Sequence, residues 1–224
     1  MSDSVQIIVT GDGSHSLLNT TLNETYLSVH GALHESLHVF IKNGLEYFIE
    51  TNSRNKISIF EVGFGTGLNA LLTAGFVEEK NINVDYTSIE AFPLDHEVIS
   101  KLNYAPSADQ AQLFEKIHSA EWENSISISQ AFSIHKTKTT LQKIDLSSSA
   151  FDVVYFDAFA PSKQPEMWEA QLLQKIFNAM KSPGVFVTYC AKGQLKRDLK
   201  SLGFDVQTLE GPPGKKEMVR ALKK

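Results

Sequence analysis

The sequence predicts an α/β fold: a doubly wound, mostly parallel sheet with an antiparallel C-terminal strand, preceded by a small β-hairpin and helix. Three observations carry this. An apolar run, Ile57–Val62, passes straight into Gly63, Gly65 and Gly67 and then into an amphipathic run, Leu68–Val77. That order reads as strand, tight turn, helix. Further short apolar runs at Val84–Ile89, Phe151–Phe156 and Val185–Tyr189 alternate with helical stretches. The chain closes on an antiparallel-looking pair, Phe204–Leu209 and Met218–Leu222, around Gly211-Pro-Pro-Gly214.

In chain order, Val5–Leu18 reads as two short strands about Gly11-Asp12-Gly13, followed by a helix from about Leu33 to Ile49. Residues 1–52 are expected to form an extension packed over the ligand edge of a domain at 53–224. After the second strand, Pro93 suits the first turn of a helix running to about Leu102. Ala105–Glu123 reads as further helix. Ser125–Ile134 and Lys136–Lys143 read as extended segments, an antiparallel pair. A helix from about Glu166 to Met180 leads through a Pro183-Gly184 turn to the strand Val185–Tyr189, and Gln194–Ser201 is the last helix.

The bulk properties exclude several classes. At 224 residues, 42% hydrophobic and 21% charged, the chain matches an ordinary globular protein able to bury a real core. No apolar run approaches the ~20 residues of a membrane span. The opening Met-Ser-Asp-Ser lacks the features of a signal peptide. The single cysteine, Cys190, excludes an internal disulfide framework and suits a reducing cytoplasm, the expected location. Net charge is −5, yet the stretch from Lys192 to the end holds nine Lys or Arg against four acids. Such asymmetry marks either a polyanion-binding edge or a solvated C-terminal face.

The glycine spacing narrows the ligand. A dinucleotide fingerprint needs glycine where Leu68 stands, and a P-loop needs Lys-Ser or Lys-Thr after the glycines. With Glu61 ahead of it, Gly63-Phe64-Gly65-Thr66-Gly67 resembles instead the S-adenosylmethionine loop of class I methyltransferases. In open α/β sheets ligands bind beyond the carboxyl ends of the strands. Glu61, Glu90 and Asp157 all fall there. Glu90 is placed to accept from both ribose hydroxyls, its alternative role being an acid at a helix N-terminus. Glu61 is expected to take backbone amides near the loop or, through water, the ligand amine.

Asp157-Ala-Phe-Ala-Pro161 with Pro165-Glu-Met-Trp168 is the most distinctive text. Phe159 beside a carboxylate suits a planar base carrying an amine, with the ring stacking and the acid gripping nitrogen. Phe159 and Trp168 could instead be core plugs, the commoner fate of large aromatics and the preferred reading for Trp168, and Asp157 an ion-pair partner or helix cap. His30, His34 and His38 recur at four-residue spacing, but Gly31 interrupts the helix and no metal is expected. Cys190 has no evident base and reads as packing.

Four texts occur in order: Gly63-Phe-Gly-Thr-Gly-Leu-Asn69, Glu90-Ala-Phe92-Pro93, Asp157-Ala-Phe-Ala-Pro161 with Pro165-Glu-Met-Trp168, and Gly214-Lys-Lys-Glu-Met218. Together they resemble the MnmC-type tRNA 5-methylaminomethyl-2-thiouridine methyltransferases, in the stand-alone form without the flavin-dependent oxidase domain. The resemblance runs from Tyr26 to the end. It implies a Rossmann-like class I methyltransferase sheet and S-adenosylmethionine as cofactor, held by Glu61, Gly63, Phe64, Gly65, Gly67, Asn69, Glu90 and Phe92. It places Asp157 beside the transferred methyl as the catalytic residue, and an aminomethyl group on a wobble uridine as acceptor. The N-terminal piece closes over the cofactor in that family, which points to Tyr26 and to Glu35 as a partner for the cofactor's amino group. Where the family carries an acid before the central strand, this chain has Lys138-Thr-Thr140-Leu141, making Thr140 the expected adenine contact.

Phe159 and Pro161 are then expected at the substrate, and Lys192, Arg197, Lys215 and Lys216 at tRNA phosphates, the anticodon arm being the partner. A separate oxidase is a possible supplier of the aminomethyl substrate. Two other functions fit fewer residues: methylation of a small amine, which the basic tail disfavours, and a non-catalytic tRNA-binding module, which the intact glycines and acids disfavour.

Overall fold

The computed structural model describes residues 5–224; the Met-Ser-Asp-Ser start lies outside the described residues. A three-stranded antiparallel sheet comes first, from β1 (Val5–Val9), β2 (His15–Asn19) and β3 (Glu24–Thr25). Asp12 builds its hairpin turn, accepting from Ser14 N (3.0 Å) and Thr10 Oγ1 (2.8 Å). A continuous helix, α1, covers residues 32–51, longer at both ends than the sequence reading. Its middle, Leu37–Glu46, is wound as a π-helix. Gly44 brings α1 close to the main sheet: a Cβ there would stand 2.9 Å from Val187 Cγ2.

The main sheet has eight strands: β4 (Lys56–Val62), β5 (Asn83–Ile89), β6 (Ser125–Ser127), β7 (Phe132–Thr137), β8 (Phe151–Phe156), β9 (Met180–Thr188), β10 (Asp205–Glu210) and β11 (Glu217–Lys223). Their spatial order is β10-β11-β9-β8-β4-β5-β7-β6. The five central strands, β9 through β7, are parallel, while β6, β10 and β11 each pair antiparallel. The order reverses beside β4, which is where a doubly wound sheet opens its ligand crevice.

Period-two alternation assigns each strand residue to a face. Ile57, Ile59, Tyr86, Val153 and Tyr155 join one core with α1, α2 (Leu68–Lys80) and α4 (Ala108–Ser119). Phe60, Val62, Val154 and Phe156 join the other, with α5 (Ala170–Ala179) and α6 (Gly193–Ser201). Glu61 shares the parity of Ile57 and Ile59, so it points beneath α2.

The structure corrects several element boundaries. The helix after β5 shrinks to α3, His96–Ile99, and Pro93 precedes it in the cavity wall. The antiparallel pair is β6 with β7, joined through a turn in which Ile128 N and Ser129 N both donate to Phe132 O. Residues 138–143 are loop, not strand. The helix expected from Glu166 splits into a 3-10 turn, Pro165–Trp168, and α5. Pro183 and Gly184 lie inside β9, at a register shift against β8 between Phe151 and Val153, rather than in a turn before the strand. Trp168 is buried, as its core reading required, and its Nε1 donates to Phe159 O at 2.8 Å.

Candidate active site

A cavity of about 1150 Å³ opens where the carboxyl ends of β4, β5 and β8 meet. Its floor is the turn after β4, and this turn is pinned: Gly63 N and Phe64 N both donate to Ile89 O, each at 3.1 Å. Gly63 (φ +92°), Gly65 (φ +50°) and Gly67 (φ +72°) all occupy left-handed backbone, which is why glycine recurs there. Gly63, Phe64 and Gly65 line the cavity. Gly67 does not; it starts α2 and packs on the ring of His118, which a Cβ would approach to 2.6 Å. Burial drives the His118 imidazole down to about 4, with Lys136 adding to the effect, so it is neutral near pH 7.

On the β5 side stand Glu90, the exposed ring of Phe92, and Thr140. Glu90 Oε2 accepts from Gly65 N at 3.0 Å and Oε1 from Phe92 N at 2.9 Å. A carboxylate has about four lone-pair sites, so each oxygen keeps one for a hydroxyl. Tyr26 lies over Gly65 and meets Phe159 edge-on, ring centroids 5.0 Å apart. Burial and the Glu90 charge push its phenol up to about 12.

Asp157 and Phe159 form the β8 side. Asn69, on the first turn of α2, ties this side to the loop. Its Nδ2 donates to Asp157 Oδ2 (2.9 Å) and to Glu61 Oε1 (3.1 Å). Asn69 Oδ1 is buried without a partner among the described residues. Burial raises the Asp157 carboxyl to about 7; the Glu35 charge adds to the rise, and Asn69 and Lys215 oppose it. Burial raises Glu61 to about 8 against hydrogen bonds from Ser88 and Asn69. Glu61 does not line the cavity, and its partners are side chains, Ser88 Oγ at 2.6 Å and Asn69, rather than backbone amides of the loop.

Other expected site residues fall elsewhere. Glu35 is buried outside the cavity; Oε2 accepts from Ser28 N at 2.7 Å and Oε1 from Lys215 Nζ. Lys215 is thus held by a buried acid rather than presented to a phosphate. Pro161 lies outside the cavity lining. Lys192, Arg197 and Lys216 are exposed, with Arg197 bonded to Gln194 Oε1 at 2.7 Å. His30, His34 and His38 have separate surroundings: Gly214, Asp12 and Glu210 O. Among the described residues no group of His, Cys, Asp or Glu is placed to hold a metal, and no helix is long and apolar enough to cross a membrane.

Sequence reasoning missed part of the wall. Asn19, Thr21 and Leu22, from the end of β2 and the turn after it, line the cavity, as does Lys163, whose Nζ donates to Leu22 O at 3.1 Å. It also missed Lys136, buried on β7. Its Nζ donates to Ile117 O and His118 O at the end of α4 and lies over the Phe64 ring at 5.4 Å. The alternation Phe132, Ile134, Lys136 was the available signal.

A family described as S-adenosyl-L-methionine-dependent methyltransferases matches residues 104–224, more than half of the chain. The chain belongs to this family. Among individual relatives, the methyltransferase is 31% identical over 217 residues to the tRNA 5-methylaminomethyl-2-thiouridine biosynthesis bifunctional protein MnmC of Idiomarina loihiensis, covering 90% of this chain and 36% of that one. With the protein of the same name from Nitrosospira multiformis it shares 27% over 219 residues, 91% and 35% of the two chains. The methyltransferase therefore spans about a third of these relatives' length. The crystal structure of MNMC2 from Aquifex aeolicus superposes with a TM-score of 0.78 at 24% identity, over 97% of this chain and 70% of that one. That likeness establishes a shared fold.

The site fits the cofactor on its own terms. The glycine turn offers bare backbone to the cavity, Glu90 has free lone pairs for a ribose, and Asp157 offers a carboxylate to a cation. When bound, S-adenosylmethionine supplies a methyl carbon on a positively charged sulfur, open to in-line attack by a nitrogen lone pair.

Proposed function

We propose that this methyltransferase N-methylates the 5-aminomethyl group of a wobble uridine in tRNA, with or without a 2-thio group, giving the 5-methylaminomethyl nucleoside. The observation that carries the reading is Asp157: a carboxyl raised to about 7, in the wall of a cavity that Tyr26 and Phe159 also line, and hydrogen-bonded to the helix that follows the glycine turn. The relatives' naming as tRNA 5-methylaminomethyl-2-thiouridine biosynthesis proteins supports the acceptor.

A free alkylamine has a pKa near ~10 and at neutral pH is an ammonium with no lone pair to give. The Tyr26 and Phe159 rings exclude water and so disfavour that charge. Asp157 accepts a hydrogen bond from the ammonium, then takes its proton, and the nitrogen is left neutral and held in place. Fixing the orientation of two reactants can supply the largest part of such an acceleration. Gly63 to Gly65, Asn69 and Glu90 are the proposed cofactor contacts, Thr140 and Phe92 the adenine neighbours. Lys192, Arg197 and Lys216 are the proposed phosphate contacts to the anticodon arm. Residues 5–52 serve as the extension over the site, a separate oxidase as the source of the aminomethyl group, and the cytoplasm as the location.

The test uses purified protein, methyl-labelled cofactor and tRNA carrying 5-aminomethyluridine. The expected product is one methyl per tRNA, found by nucleoside mass spectrometry on the aminomethyl nitrogen. Transfer to spermidine or another small amine, with none to tRNA, would overturn the reading.

A further inference from the structure

Outside the cavity but within electrostatic reach of Asp157 lies a second cluster of charges. Glu35, on α1, is 3% exposed, and its one bonded cation among the described residues is Lys215, from the turn between β10 and β11, 180 residues away. That turn is built to present the lysine. Lys215 N donates to Pro212 O (2.9 Å), and Gly211 N to Lys216 O (3.2 Å). Gly214, at φ +84°, lies so close to His30 that no Cβ fits, and His38 Nε2 contacts Glu210 O at 2.8 Å. The turn is thereby seated on the chain that carries Glu35.

From there the cluster reaches the acid by two routes. The first is backbone. Lys215 Nζ lies 4.2 Å from the centre of the Tyr189 ring, and Tyr189 Oη donates to Ala158 O at 2.8 Å, the residue after Asp157. The second is charge. Asp157 is faced by Glu35 from α1, Lys215 from the β10–β11 turn, Tyr189 after β9, Asn69 from α2, Glu61 from β4 and Tyr86 from β5. Cys190, next to Tyr189, also feels Lys215. Of these groups Lys215 alone is a cation.

We propose that Lys215 and Glu35 are positioning residues for methyl transfer: their ion pair sets the charge that Asp157 experiences and fixes the backbone that carries it, without either side chain touching the amine. The inference rests on the reading of Asp157 as the group that takes the amine's proton. Lys215 keeps the acid anionic beside an approaching ammonium. Glu35 in turn holds the lysine away from the place that ammonium must take, where a second cation would repel it.

The effects of the two residues have opposite signs, which makes them testable. In the full-length protein the Asp157 carboxyl is followed by carbon-13 NMR through a pH titration. The single-turnover methylation of aminomethyl tRNA is measured over the same range. Lys215→Met is expected to move both the titration and the acidic limb of the rate upward by about one pH unit, a roughly tenfold loss of rate below the limb. Glu35→Gln is expected to move both downward by a similar amount. The double variant returns both close to the parent, and Lys215→Arg keeps the parent profile. Lys215→Gln carries the same expectation as Lys215→Met if the latter does not fold.

Unmoved titrations in both single variants would overturn the proposal. So would a Lys215→Met enzyme with the parent pH limb, a raised KM for tRNA and a shallower salt dependence, since that is the signature of a phosphate contact. If the parent protein transfers no methyl to tRNA, the acceptor reading fails, and the NMR titration still decides the ion pair.

Discussion

The backbone oxygen of Asp157 lies 2.7 Å from the position that a Cβ on Gly63 would occupy. The turn that floors the cavity and the acid in its wall therefore touch through main chain, where no side chain can give way. Gly63→Ala is expected to weaken cofactor binding at least tenfold, since φ +92° is also strained for alanine. Gly75, on α2, faces open space, so Gly75→Ala should leave cofactor affinity unchanged and add about 0.5–1 kcal/mol of stability. Titration calorimetry and thermal melts separate the two outcomes.

Asp157→Asn should lower the single-turnover rate by about 10²-fold or more, as loss of a positioned proton acceptor does. Stability should move the other way. The folded carboxyl titrates near 7, above its ordinary 3.8, so between those values the native state holds more protons than the unfolded chain. Stability attributable to this group is full below pH 4 and falls as pH rises through 7. The asparagine variant should thus melt higher than the parent at pH 8, by roughly 10 °C if the whole shift is realised, and show no such gain at pH 4. A variant that kept the parent's rate would remove Asp157 from the mechanism.

Glu90 anchors two backbone amides while facing the cavity. Glu90→Ala should weaken cofactor binding about tenfold, the scale of a lost charged hydrogen bond, and Glu90→Gln by less because one acceptor oxygen remains. Binding of S-adenosylhomocysteine by calorimetry is the measurement.

Lys192 and Arg197 reach solvent from the start and middle of α6. If they meet phosphates, replacing each by alanine should reduce the slope of log affinity against log salt by about one, with little dependence on tRNA sequence. Filter binding at several salt concentrations checks this, and an unchanged slope would assign them to the solvated face.

The glycine turn and the acids Glu90 and Asp157 were legible because their requirements are local. Left-handed backbone demands glycine, and strand ends fix where the following residue points. The β6–β7 hairpin was harder: Ile126, Ile128, Phe132 and Ile134 keep even spacing across the turn, and Ser129-Gln130 carries no glycine or proline to mark it. Lys136 was hidden for a different reason. A lysine among threonines reads as surface, and only the carbonyls ending α4 explain its burial. The pairing of Lys215 with Glu35, and of Lys163 with Leu22, depends on contacts 180 and 141 residues apart, which no window along the chain encloses.

Asn69 gives the site a mechanical property. One amide nitrogen grips carboxyl groups on two neighbouring strands from the helix that begins where the glycine turn ends. Displacing the start of that helix would therefore disturb the hydrogen bonds to both acids together.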